Sequence, residues 1–196
     1  MSRTTEAVLV IVPGLRDHVE KHWQTLLANR LAESGRTVRT VPPLTQDQLS
    51  REARVAALDK VITEIAGPVV LVAHSAGVIT TVHWAQWHET QVQGALLVTP
   101  PDFEKPLPEG YPTPEVLDEN GWTPVPRSPL PFPTIVAASS NDPLGSVESV
   151  AELARSWGGR LVELGEVGHL NPASGYGPWP RADELLSELE IETGLG

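Results

Sequence analysis

Three residues of this chain could together perform nucleophilic chemistry on an acyl group: Ser75, Asp142 and His169, in that order. A serine hydroxyl is a poor nucleophile near neutral pH. A neutral imidazole within hydrogen-bond reach can accept its proton as attack proceeds and then hand it to the leaving group. Histidine suits this exchange because its unperturbed pKa is about 6.5. A carboxylate behind the ring fixes the imidazole tautomer and stabilises the imidazolium. The oxygen that gains negative charge needs N–H donors. One is the backbone of Ala76, directly after the serine, and the other is expected from the loop after the first strand, at Leu15.

Each of these residues also has a plainer reading. Asp142 lies in Asn141-Asp142-Pro143, where an aspartate commonly makes an Asx turn. Asp102 also follows a strand and is the alternative acid. His169 could be an ordinary loop histidine, although the preceding Gly168 and its place after the last strand favour chemistry. His74, next to the serine, is expected to be packed or hydrogen-bonded at the turn. His22 is read on the first helix, where it could face a pocket. His83 and His88, beside Trp84 and Trp87, read as helix-packing residues. No H-E-x-x-H or other close ligand cluster points to a metal, and neither a dinucleotide fingerprint nor a phosphate-binding loop is present, so no cofactor is expected.

The elements that must position these residues alternate along the chain. Val69 to Ala73 is an unbroken apolar run, short and rich in β-branched residues, as expected for a strand buried on both faces. Ser75 follows among small residues, and then a segment of helical spacing begins. Strand, sharp turn with a serine at its tip, and helix together make a nucleophile elbow. Its usual spelling is G-x-S-x-G, and Ala73 stands here in place of the first glycine. Further strands are expected at Ala7–Val12, Thr37–Val41, Gly94–Thr99, Thr134–Ala138 and Arg160–Leu164. Helices are expected at Val19–Ser34, Gln46–Ala66, Val147–Trp157 and from Pro180 to about Glu192. The second of these would bury Leu49, Ala53, Ala57, Val61 and Ile65. Between residues 100 and 133 eleven prolines crowd the chain, which argues against regular structure there. Phe103, Tyr111, Trp122 and Phe132 give that stretch apolar anchors, so an ordered excursion is expected rather than a disordered linker. Alternating strands and helices call for a mostly parallel sheet with helices on both faces, and such sheets bind ligands at the carboxyl ends of their strands. Ser75, Asp142 and His169 all fall there.

Bulk properties narrow the function classes. The 196 residues suit a single domain, 1–196, with a real core. The formal charge of -11, from 25 acidic and 14 basic residues, argues against a nucleic-acid partner or an anionic membrane surface. There is no cysteine, which excludes disulfides, thiol nucleophiles and cysteine metal sites. The apolar run Ala7–Val12 is too short for a signal sequence, and no stretch approaches the roughly 20 residues of a membrane helix. The expected location is the cytoplasm.

The chain resembles the compact serine-hydrolase family that includes the YdeN-type bacterial proteins and the human retinoblastoma-binding serine hydrolase, with the bacterial branch the closer one. The resemblance rests on Val12-Pro13-Gly14-Leu15, His22-Trp23-Gln24, Leu71 to Gly77, His83-Trp84-Ala85, Pro100-Pro101-Asp102, Asn141-Asp142-Pro143, Gly168-His169-Leu170-Asn171 and Ser174 to Trp179. It implies a compact α/β-hydrolase (flavodoxin-like) fold without a large cap domain, and Ser75, Asp142 and His169 as a catalytic triad. It further implies hydrolysis of small esters or related acyl compounds without a cofactor. The pocket is expected between the first loop, the proline-rich excursion and the segment around Tyr176 and Trp179, with His22 and His74 near it. Two other readings stay open: a protein-binding module on the same fold, with a partner not identified, and an amidase or peptidase with the same triad. Where the family's first loop carries glycines and a serine, this chain has Arg16, Asp17 and His18, which puts charge at the pocket rim.

Overall fold

The apolar runs form a six-stranded sheet in which every pairing is parallel: β1 (Val8–Val12), β2 (Val38–Thr40), β3 (Val69–His74), β4 (Val92–Val98), β5 (Thr134–Ala138) and β6 (Arg160–Glu163). The computed structural model describes residues 6–17, 19–88 and 92–194. His18 and the first five residues, which entered the reading of the first loop and of the amino terminus, lie outside the described residues. The strand order is β2-β1-β3-β4-β5-β6. The chain thus runs outward from β1 to β2, returns to place β3 on the other side of β1, and continues in that direction. The reversal opens a crevice above the carboxyl ends of β1 and β3, where open parallel sheets bind ligands.

Among the described residues, helices α1 (Trp23–Glu33), α2 (Arg51–Thr63), α3 (Ala76–Trp84), α5 (Val147–Trp157) and α6 (Arg181–Thr193) cover the two faces, and a short helix, α4 (Pro114–Glu119), lies apart from them. Successive strand residues point to opposite faces, and the core divides accordingly. Val10, Val12, Leu71, Ala73, Leu97 and Val136 pack with Leu58, Ile62, Ile79, Leu153 and Trp157 of α2, α3 and α5. Leu9, Ile11, Val70, Val72, Leu96 and Ile135 pack with Trp23, Leu27, Leu185 and Leu189 of α1 and α6. The central strands are apolar throughout because both of their faces are covered.

Several elements are shorter than their sequence pattern suggests. α1 starts at Trp23, not Val19, because the His22 side chain caps it by accepting the Gln24 N–H. α2 starts at Arg51, not Gln46, where Ser50 accepts the Ala53 N–H. Its buried residues are Arg54, Leu58, Val61 and Ile62, in place of the expected face through Leu49, Ala53 and Ala57. A buried arginine in the apolar stripe masked the true period. The excursion of residues 100–133 is ordered on Phe103, Trp122 and Phe132, all buried. It includes one short helix, α4, where Thr113 caps the N-terminus and Pro114 occupies the first turn, a position that tolerates proline. His83 ties it down by donating to the Trp122 carbonyl (3.0 Å). His88, expected to pack, stacks on Trp84 with ring centroids 5.5 Å apart, while Trp87 is 80% exposed.

Candidate active site

Ser75 sits between β3 and α3 with φ +56° and ψ -128°. A left-handed φ at a non-glycine residue costs of order 1–3 kcal/mol and persists where the flanking structure over-determines it. Here every residue of β3 and of α3 is buried, and the Ser75 N–H donates to the Val98 carbonyl (3.0 Å). A Cβ on Gly77 would overlap the Val12 carbonyl oxygen and lie 2.7 Å from that of Pro13, so the helix can approach β1 only through a glycine. Ala73 meets no such demand. It is an ordinary strand residue whose methyl belongs to the core, which explains why the glycine of the usual spelling is dispensable.

His169 and Asp142 converge on the serine from two separate turns. His169 Nε2 lies 2.8 Å from Ser75 Oγ, and His169 Nδ1 lies 2.9 Å and 3.0 Å from the two Asp142 carboxylate oxygens. An ionised carboxylate only accepts, so Nδ1 carries the proton and Nε2 accepts from the serine. Asp142 also makes the Asx turn, its Oδ1 accepting the Leu144 N–H (2.9 Å), so one carboxylate serves both the turn and the contact with His169. The alternative acid, Asp102, is turned away and accepts from Ser149 Oγ and Lys105 Nζ.

The His169 turn is pinned by side chains from the β5 turn. Asn141 Oδ1 accepts the Gly168 N–H (2.7 Å), and Ser139 Oγ accepts the Val167 N–H (3.2 Å). Gly168 (φ +57°) has Ser174 where a Cβ would point. Asn171 and Ser174 close the far side with reciprocal capping bonds.

His22 and His74 extend a row of imidazoles behind His169, with ring centroids 4.6 Å (His22–His74) and 5.0 Å (His74–His169) apart. His74 Nε2–H donates to the His169 carbonyl (2.8 Å). Burial, and then the proximity of His169, lowers the pKa of His22 from 6.5 to about 4 and holds that of His74 well below 6.5. Both rings are therefore neutral at pH 7. The unfolded chain binds protons at these positions below about pH 6.5 while the folded chain refuses them, so stability falls as the pH drops from there toward 4. Urea midpoints measured between pH 7 and pH 4 are expected to fall more steeply for the wild type than for His22→Asn, which retains a capping acceptor. Parallel pH curves for the two proteins would remove His22 from the acid sensitivity.

A cavity of about 410 Å³ opens beside Ser75. Its walls are the loop after β1 (Gly14 to Asp17), the excursion (Phe103, Leu107, Tyr111) and Asn171 to Ala173, with His22, His74, Ala76 and Leu144 also facing it. Trp179, expected at the pocket, instead packs edge-on against Trp23 at 4.8 Å, and Tyr176 packs against the core of the α1 and α6 face. Gly14 crosses the serine so closely that a Cβ there would lie 3.3 Å from Ser75 Cβ. Neither the Leu15 nor the Ala76 N–H donates to a backbone carbonyl among the described residues. Among those residues no group of three His, Asp or Glu side chains is arranged to hold a metal, and no helix is long and apolar enough to cross a membrane.

Three residues that shape this site are not conspicuous in the sequence: Asn141, Gln24 and Arg54. Asn141 stands in a turn and in a stretch shared with the family, and neither marks its bond to Gly168. Gln24 spans two strand ends, donating to the carbonyls of Val12 (3.2 Å) and Val72 (3.0 Å). Arg54 reaches the first loop from α2. Contacts between such distant segments leave no local pattern.

The sequence profile of the serine hydrolase family matches residues 9–188. No curated protein matches the chain. Among solved structures, a YdeN-like hydrolase from Pectobacterium atrosepticum is 28% identical, with a TM-score of 0.80 over 97% of this chain and 94% of that one. The ydeN gene product of B. subtilis is 21% identical, with a TM-score of 0.73 over 94% of this chain and 98% of that one. Est1E of Butyrivibrio proteoclasticus, solved with ferulic acid bound, shares the fold at 11% identity, with a TM-score of 0.73 over 100% and 92% of the two chains.

Proposed function

The chain belongs to the serine hydrolase family, and from that premise we propose that it cleaves small carboxylic esters, or closely related acyl compounds, through an acyl-Ser75 intermediate. The observation that carries this reading is the hydrogen-bonded series Ser75–His169–Asp142 at the wall of a cavity. Ser75 Oγ attacks the ester carbonyl carbon while its proton passes to His169 Nε2. Asp142 holds the ring and stabilises the imidazolium. The carbonyl oxygen becomes an oxyanion facing the N–H groups of Ala76 and Leu15. The intermediate collapses, the ester C–O bond breaks, and His169 protonates the departing alkoxide. A water molecule, deprotonated in turn by His169, attacks the acyl carbon and releases the carboxylic acid and free Ser75.

His22 and His74 support this cycle by staying neutral. A charged neighbour would oppose the positive charge that His169 must acquire. The walls formed by Leu15, Leu49, Phe103, Leu107 and Leu144 suit an apolar acyl or alkoxy group, and the volume falls in the range of small-molecule sites. The decisive test is labelling with a fluorophosphonate probe, followed by a panel of p-nitrophenyl esters and matching anilides. One adduct on Ser75 and turnover of short esters well above the anilides are expected. Folded protein that takes no label would overturn the enzymatic reading in favour of a binding module, and preferential anilide turnover would favour an amidase.

A further inference from the structure

The loop after β1 carries Leu15, and a side chain from outside it, Arg54, grips two of its carbonyls. Arg54 of α2 is buried, at 8% side-chain exposure. Its Nε donates to the Gln48 carbonyl (2.7 Å), Nη1 to the Gly14 carbonyl (3.3 Å) and to Asp17 Oδ1 (2.9 Å), and Nη2 to the Leu15 carbonyl (3.2 Å). A buried charge is costly unless it is paired and fully hydrogen-bonded, and a buried ion pair is a poor device for stability alone. All three guanidinium nitrogens are engaged here, and two of the four acceptors are the consecutive carbonyls of Gly14 and Leu15.

Those two carbonyls define the orientation of the peptide planes on either side of Leu15. A trans peptide is planar, with its C=O and N–H pointing in opposite directions. Drawing the Gly14 carbonyl toward Arg54 therefore turns the Leu15 N–H away from α2. The Gly14 carbonyl also accepts the Asp17 N–H (3.0 Å), which closes a tight turn over Gly14 to Asp17. Asp17 itself is left-handed at φ +54°, a conformation that aspartate tolerates better than most residues. Its carboxylate returns to the same guanidinium. A loop poor in glycine is thus bent and fixed by one ion pair.

We infer that Arg54, paired with Asp17, is a positioning residue for the oxyanion hole, setting the direction of the Leu15 N–H by gripping the carbonyls of Gly14 and Leu15. It touches no reacting atom. The inference rests on the reading of Leu15 as an oxyanion donor.

Arg54→Lys tests it, because one ammonium keeps the charge but cannot span four acceptors in fixed directions. Asp17→Asn is the gentler second variant, since asparagine tolerates the left-handed conformation and retains an oxygen acceptor. The measurements are kcat and KM for p-nitrophenyl butyrate, and inhibition by an alkylboronic acid, whose tetrahedral serine adduct places an oxygen in the hole. Inhibition by butyrate, which makes no such adduct, and the urea midpoint complete the set. Losing one oxyanion donor lowers kcat by about 10²–10³-fold. Arg54→Lys is expected to approach that loss, with KM within about twofold, boronate affinity falling in step with kcat/KM, and butyrate affinity unchanged. Asp17→Asn is expected to show the same pattern at roughly tenfold. A lower urea midpoint with unchanged kcat would assign Arg54 a purely structural role. Equal losses of boronate and butyrate binding would mean collapse of the pocket. Either result overturns the inference, and if Arg54→Lys does not fold, the pattern in Asp17→Asn decides. Failure of the hydrolase reading is separate: it would appear as wild-type protein that neither takes the fluorophosphonate label nor turns over ester.

Discussion

Ser75→Ala is expected to lower kcat for p-nitrophenyl esters by about 10⁴-fold or more, leaving whatever the oxyanion hole and binding supply by themselves. The variant removes the nucleophilic oxygen and little else. The hydroxyl's hydrogen bond is to His169 Nε2, and the backbone bond from the Ser75 N–H to Val98 survives. Alanine is no worse than serine at φ +56° by sterics, and β3 and α3 continue to impose that geometry. The urea midpoint is therefore expected to stay close to that of the wild type. Substantial turnover by a purified, folded variant would refute the acyl-Ser75 mechanism, because no second hydroxyl stands within reach of His169 Nε2 among the hydrogen bonds of the described residues.

Asp142→Asn is expected to cost about 10⁴-fold in kcat with KM nearly unchanged. The asparagine oxygen can still accept the Leu144 N–H, so the turn persists. Its NH₂ group then faces His169 Nδ1 as a donor. The ring proton moves to Nε2, which then donates to Ser75 Oγ and can no longer accept the serine proton. Asp102→Asn serves as the control. Its contacts run to Ser149 and Lys105, and activity close to wild type is expected. The reverse outcome, with the loss at Asp102 and not at Asp142, would reassign the acid.

The legible part of this protein lay in local patterns. β5 and α5 were readable to the residue, because Thr134–Ala138 is a continuous apolar run and Val147–Trp157 has a clear buried face bounded by Ser146 and Gly158. The pattern of α2 misleads because its buried face includes Arg54, which hydropathy counts as surface. The start of α1 was obscured because a histidine cap, His22, looks like one more helical residue. The place of Trp179 in an irregular, aromatic segment points to the pocket, whereas in the fold it packs edge-on against Trp23.

The sequence by itself determined the parallel α/β architecture, the elbow at Ser75 and the candidate partners Asp142 and His169. Each of these rests on nearest-neighbour preferences or on the rule that parallel sheets gather function at their carboxyl edge. Only the tertiary structure shows that Asp142 meets the His169 ring while Asp102 meets Ser149, since both follow strands and the difference is a matter of direction in space. Only the structure could connect Arg54 to Gly14 and Leu15, about 40 residues away in the chain. A hydrogen bond depends on atoms meeting at about 3 Å, and a sequence records the groups that can bond without recording which of them meet.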